Sequence, residues 1–126
     1  MKHKILIVDD EPAVANTLCM IFEKCGYECR VSYTASEAVA CCEEFCPELL
    51  LYDLSMPVAG SQDVVLHIAQ KYPGCRVLVL TGHYTNVRLV REWVSTHPGP
   101  SRIMTKPVAP ALLLQEAHAL LHQSAS

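Results

Sequence analysis

No apolar run among the 126 residues approaches the roughly 18 that a membrane-spanning helix requires, so insertion into a bilayer is not expected. The N-terminus is basic and then apolar, Met1-Lys2-His3-Lys4 followed by Ile5-Leu6-Ile7-Val8, but two aspartates stop the run after four residues. That is too short for the apolar stretch of a secretory signal. Net charge is also small. Ten Lys and Arg against thirteen Asp and Glu leave −3, which excludes the strongly basic balance of a general nucleic-acid or membrane-surface binder. Among seven cysteines there is no Cys-x-x-Cys pair, and no His spacing matches them to make a zinc site. An odd cysteine count without a visible signal suits a reducing cytoplasm, where free Cys packs as a small hydrophobe. Cys19, Cys25 and Cys42 fall where Ala or Val would serve equally.

What is present is enough for one core. With 51% hydrophobic and 18% charged residues, residues 1–126 are expected to form a single domain, its core spanning about 3–122 and followed by a short tail. The charge is unevenly placed. Residues 1–63 carry −7 and residues 64–126 carry +4, so one half suits cations and the other anions.

Short β-rich runs alternate with longer stretches of helical period, the pattern of an α/β protein with a parallel sheet. Five strands are expected: Lys4 to Val8, Glu28 to Ser32, Leu49 to Tyr52, Val77 to Leu80 and Arg102 to Thr105. The third and fourth are continuous apolar runs, as in central strands covered on both faces. Between them, Val14, Leu18, Ile21 and Phe22 mark the inner stripe of a helix from Pro12 to about Lys24, ending at Gly26. A second helix runs from Ser36 to Glu44, capped by Thr34 or Ser36, and a third from about Ser61 to Tyr72. Asn86 to about Thr96 makes a fourth. Pro110 opens a fifth, with Leu113, Ala117, Leu120 and Leu121 as its buried stripe. Right-handed crossovers favour the flavodoxin-like order 2-1-3-4-5, a three-layer (βα)5 sandwich that binds ligands beyond the carboxyl ends of strands 1 and 3.

Three of only four aspartates, Asp9, Asp10 and Asp53, fall immediately after those two strands. Singly, each has an ordinary explanation: Asp10 as a helix cap, Asp53 as a turn residue before Met56-Pro57. Together they repel unless a cation is present, and Mg2+ suits hard carboxylate oxygens with waters and phosphate completing its shell. Strand 4 ends in Thr81 and strand 5 in Lys106, adding a hydroxyl and an ammonium suited to phosphoryl oxygens.

Val8-Asp9-Asp10-Glu11-Pro12, Asp53 with Met56-Pro57, Thr81-Gly82 and Lys106-Pro107, in that order at successive strand ends, resemble the receiver domain of two-component response regulators. The resemblance covers essentially the whole chain and implies a stand-alone receiver without an output domain, of the kind used in chemotaxis and phosphorelays. It implies that Asp53 is the phosphoacceptor for a histidine kinase or phosphotransfer protein. Asp10 and Asp53 would bind Mg2+ directly, Asp9 through water, and Ser55 through its backbone carbonyl. Lys106 and Thr81 would hold phosphoryl oxygens, and Lys106-Pro107 would be a cis bond. Ser55 and His83, two residues beyond Asp53 and Thr81, would tune dephosphorylation.

The resemblance also implies that a downstream protein binds the face of the fourth helix, fifth strand and fifth helix. There Arg88 and Arg91 stand against Glu92 alone, and Arg102 is added by strand 5. Two positions depart from the family pattern. Ile103 replaces the usual aromatic residue three before the Lys, and Val58-Ala59-Gly60 places glycine one position early without an acidic residue before it. Activation is therefore expected to rest on Thr81 and the Gly82-His83-Tyr84 loop. Two other readings compete: a phosphorylation-independent interaction receiver, and a metal-dependent phosphatase of similar topology. The phosphatase would need a carboxylate two residues after the nucleophile, where Ser55 stands. A nucleotide-binding flavodoxin-like protein is disfavoured because no Gly-rich loop follows strand 1.

Overall fold

The alternation of β-rich and helical stretches becomes a single parallel sheet in a computed structural model, which describes residues 2–53, 67–68, 70–82 and 101–122. Its strands are β1 (Lys4–Val8), β2 (Glu28–Ser32), β3 (Leu49–Asp53), β4 (Arg76–Thr81) and β5 (Ser101–Thr105). They are ordered β2-β1-β3-β4-β5, and every neighbouring pair is parallel. The described helices are α1 (Pro12–Lys24), α2 (Ala35–Phe45) and a C-terminal helix (Pro110–Leu121). Residues 67–68 and 70–71 are also helical, at the end of the expected third helix. The fourth helix and the remainder of the third lie outside the described residues.

The two faces of the sheet follow from the period-2 alternation of strand side chains. Leu6, Val8, Leu50, Tyr52, Val77 and Val79 point to the side covered by Ala38 and Cys42 of α2 and by Ile68. Ile5, Ile7, Leu49, Leu51, Leu78 and Leu80 point to the other side. There α1 contributes Ala15 and Phe22, and the C-terminal helix contributes Leu113, Ala117, Leu120 and Leu121. All five residues of β3 are buried, as a central strand covered on both faces requires.

Local sequence sets the helix ends. Pro12 opens α1, where a missing N–H costs nothing, and Gly26 follows its C-cap with φ +94°, a conformation that favours glycine. At α2, the Thr34 side chain accepts the Glu37 amide at 3.1 Å, while a Glu37 carboxylate oxygen accepts the Tyr33 amide at 3.0 Å. The two residues thus tie the first turn from both sides, in a variant of the capping box.

Two residues differ from the amphipathic expectation. Val14 is 41% exposed, because the inner face of α1 is centred on Ala15 and Phe22, and Val14 instead lines a cleft of about 670 Å³ toward Pro107 and Leu113. Cys25 is exposed at the C-cap of α1, whereas Cys42 is fully buried and Cys19 half-buried as expected. Thr34→Ala removes the α2 cap and is expected to lower unfolding stability by about 1 kcal/mol. Urea unfolding should show this as a lower midpoint with an unchanged slope.

Candidate functional site

In a sheet whose strands are all parallel, every carboxyl end lies on one edge. Residues that follow the strands therefore converge there, however far apart they are in sequence. Val8 pairs in register with Tyr52, Asp53 with Leu80, and Thr81 with Thr105. Asp9, Asp10, Asp53, Thr81 and Lys106 thus occupy one end of the three central strands and their neighbour β5.

One carboxylate oxygen from each of Asp9, Asp10 and Asp53 lies within 4.8 Å of the others. Asp9 and Asp53 are only 2% and 3% exposed, whereas Asp10 faces solvent. Asp10 is not the cap of α1. That position belongs to Glu11, whose side chain makes no capping bond, and it is an Asp9 oxygen that accepts the Glu11 amide at 3.0 Å. The Asp9 amide in turn donates to the Ser32 carbonyl at 3.1 Å, which fixes the turn leaving β1.

The Lys106 ammonium donates to an Asp53 carboxylate oxygen at 2.6 Å, with its own side chain one-third exposed. The Lys106 amide donates to the Thr81 carbonyl at 2.8 Å, and the Lys106–Pro107 peptide is cis. Three carboxylates face one ammonium here, so the described charges favour a further cation of charge two. Burial pushes the Asp9 carboxyl up. The Glu11 amide and Lys106 pull it down and the Asp53 charge adds to the rise, with a net upward shift. Burial, helped by the adjacent Asp53 charge, also pushes the Tyr52 hydroxyl up to about 12. The Thr81 hydroxyl is completely buried and finds no hydrogen-bond partner among the described residues. A buried hydroxyl in that state sits ready for an oxygen ligand.

The other expected residues divide into two groups. Ser55, His83, Arg88 and Arg91 lie outside the described residues, as does the Val58-Ala59-Gly60 loop. Ile103 pairs with Val79 and packs, half-buried, against the α2 side of the core. Arg102 departs from the expected basic face. Its guanidinium donates to a Glu116 carboxylate oxygen at 3.1 Å on the exposed surface, so much of its charge is already answered. Charge counting along each expected helix missed the pair because Glu116 lies on the C-terminal helix, one turn beyond Leu112.

Residues 5–118 match the response regulator receiver domain. The chain belongs to that family. It is 27% identical over 124 residues to the DNA-binding response regulator MtrA of Mycolicibacterium smegmatis, covering 98% of this chain and 53% of that one. It is 30% identical over 125 residues to the regulatory protein VanR of Enterococcus faecium, covering 98% and 52%. The chain therefore spans about half the length of the curated relatives it matches. Among solved structures, a CheY-like receiver domain protein from Methanospirillum hungatei superposes with a TM-score of 0.84 at 27% identity, covering 96% of this chain and 94% of that one. The chemotaxis protein CheY4 of Vibrio cholerae shares the fold, with a TM-score of 0.81 at 20% identity over 95% and 99% of the two chains. This receiver is thus homologous to two-component response regulators and carries an acidic pocket at the switch edge of the sheet. No described helix is long and apolar enough to cross a membrane.

Holding Asp9 ionised beside Asp53 opposes folding when no cation is bound. Asp9→Asn keeps the oxygen that accepts the Glu11 amide and removes a buried like charge. In chelator-containing buffer it is expected to raise stability, read as a higher midpoint in urea.

Proposed function

We propose that this receiver is a phosphoryl-accepting switch of a two-component phosphorelay, with Asp53 as the acceptor. The observation that carries this reading is the setting of Asp53, buried between the acidic Asp9 and Asp10 and the Lys106 ammonium. A carboxylate there is aimed by a rigid strand and shielded from bulk water, as an in-line nucleophile needs. In transfer from a phosphohistidine, an Asp53 oxygen bonds to phosphorus as the phosphorus–nitrogen bond breaks, and the imidazole leaves with the electron pair. Lys106 then exchanges its contact with the Asp53 carboxylate for one with a phosphoryl oxygen, and the Thr81 hydroxyl, which has no partner among the described residues, gains an acceptor.

Receiver domains generally bind Mg2+ at an acidic cluster, and the donor set here, all carboxylate oxygen, fits that ion. Asp10 and Asp53 would hold it directly, Asp9 through water, and the Ser55 backbone carbonyl would complete the protein ligands. The bound ion supplies charge neutralisation at the phosphoryl oxygens. The partners proposed are a histidine kinase or phosphotransfer protein upstream and a downstream protein on the face of the fourth helix, fifth strand and fifth helix. Arg88 and Arg91 are the charges proposed for that face, with Arg102 engaged by Glu116. We further propose that Ser55 and His83 tune hydrolysis, that the domain works in the cytoplasm, and that it contacts neither nucleic acid nor membrane itself.

Intact-mass measurement after incubation with a small phosphodonor and Mg2+ is expected to show one phosphoryl group. Asp53→Asn and EDTA should each remove it. Label mapped to another residue after borohydride trapping, or a yield insensitive to EDTA, would overturn the assignment.

Ile103 has no ring to swing inward, and its β-branched side chain is stiff at χ1. The response is therefore expected to run through Thr81 and the loop after it. NMR shifts on adding beryllofluoride with Mg2+ should concentrate in residues 81–90. Thr81→Ala and Lys106→Ala should each abolish most of them, while Ile103→Ala lowers stability and leaves the response. The reverse pattern would remove Thr81 and Lys106 from the switch.

A further inference from the structure

At the opposite edge of the sheet, where the strands begin, three histidines gather that the phosphoryl chemistry does not use. His3 immediately precedes β1. His118 and His122 stand four residues apart in the last turn and at the C-cap of the C-terminal helix, so they share one face of it. The His118 and His122 ring centroids are 4.2 Å apart, and the His3 ring meets His122 edge-on at 5.4 Å. Imidazoles placed together at helical i, i+4 spacing, with a third contributed from another element, make a donor set suited to a borderline transition-metal ion.

The second observation is how two of these rings are held. His3 Nδ1 lies 2.8 Å from a Glu48 carboxylate oxygen, and the other Glu48 oxygen accepts the Lys4 amide at 3.2 Å. A carboxylate only accepts, so Nδ1 carries the proton, and Nε2 is the ring nitrogen left for a metal ion. This carboxylate–imidazole arrangement commonly stands behind metal-ligating histidines. His118 Nδ1 lies 3.3 Å from the Tyr27 hydroxyl. In the tautomer where Nδ1 donates to that oxygen, the His118 Nε2 is likewise left for a ligand. The carbonyls that end a helix also carry partial negative charge, which favours a cation there.

We propose that His3, His118 and His122 form a binding site for a Zn2+-like transition-metal dication, with Glu48 and Tyr27 orienting the first two rings. Among the described residues the aspartate trio is the only group whose donor atoms already lie within 4.8 Å of one another. Closing the imidazoles on an ion therefore takes side-chain rotation of His122, which is exposed and outside the core clusters. The bound ion would clip the first strand to the end of the last helix, tying the two ends of the described fold together.

Titration of the 126-residue chain with Zn2+ by calorimetry, in the Asp53→Asn background so that the acidic trio is weakened as a competitor, is expected to show one saturable site. His122→Ala and His118→Gln, both at exposed positions and checked for unchanged circular dichroism, should each weaken it at least tenfold. Glu48→Gln should weaken it about tenfold or less, the usual range for a group behind the ligand. With Co2+ as a spectroscopic probe, visible ligand-field bands should appear without a near-ultraviolet thiolate band, which separates imidazole ligation from capture by exposed Cys25 or Cys46. Zn2+ affinity unchanged in both histidine variants, a thiolate band, or ring-proton NMR signals of the three histidines that stay put on Zn2+ addition would overturn the proposal.

Discussion

The Lys106–Asp53 contact is the interaction around which the rest of this structure is arranged. A nearly buried carboxylate beside two others is costly, because desolvation and mutual repulsion both oppose its charge. One ammonium at 2.6 Å offsets part of that cost but cannot balance three carboxylates. Among the described charges the site is left short of positive charge, and this deficit makes it chemically useful: it draws a cation and, through that cation, the negative oxygens of a phosphoryl group. An apolar replacement would pack at least as well and would have no such demand.

Holding that arrangement falls to the strands. Asp53 is the last residue of a strand buried along its whole length, and Asp9 follows a strand with four of its five residues buried. Side chains anchored this way move little, so the carboxylates cannot relax apart to relieve their repulsion. Lys106 reaches the same point from an edge strand. Its amide bond to the Thr81 carbonyl couples the lysine to the end of β4. Thr81 therefore joins both parts of the site, with its carbonyl engaged by Lys106 and its buried hydroxyl still lacking a partner among the described residues. A group that supplies an acceptor to that hydroxyl changes the balance at the start of the following loop, through differential contacts rather than through any signal carried along the sheet.

Much of this was legible in the sequence because the determining patterns are local. Short β-rich and continuous apolar runs named the strands, and Leu113, Ala117, Leu120 and Leu121 named the buried stripe of the last helix without error. Parallel topology then carried residues from four strand ends to one edge. Legibility failed where the outcome depends on what another element does. Val14 belongs to the apolar repeat of α1 but lies beside a cleft, because Ala15 and Phe22 take the centre of the contact. Arg102 reads as a free charge until the C-terminal helix brings Glu116 against it. The histidine cluster was missed for the same reason. His118 and His122 carry a readable i, i+4 signal, but the third ring comes from residue 3 and its orienting carboxylate from residue 48.

The two ends of the sheet are chemically distinct, and the difference follows from strand direction. Helices in this fold run antiparallel to the strands, so helix C-termini, with their partial negative charge, collect at the edge where strands begin. The carboxylates occupy the other edge and present only hard oxygen. Imidazole is a softer donor and occupies the edge with the helix end. Mg2+ demands oxygen and gives up its waters reluctantly, so it has little to gain from the histidines, while a borderline ion gains most from nitrogen. One edge can therefore answer to phosphoryl chemistry while the other takes a different cation, and the buried strands between them keep the two donor sets the length of a strand apart.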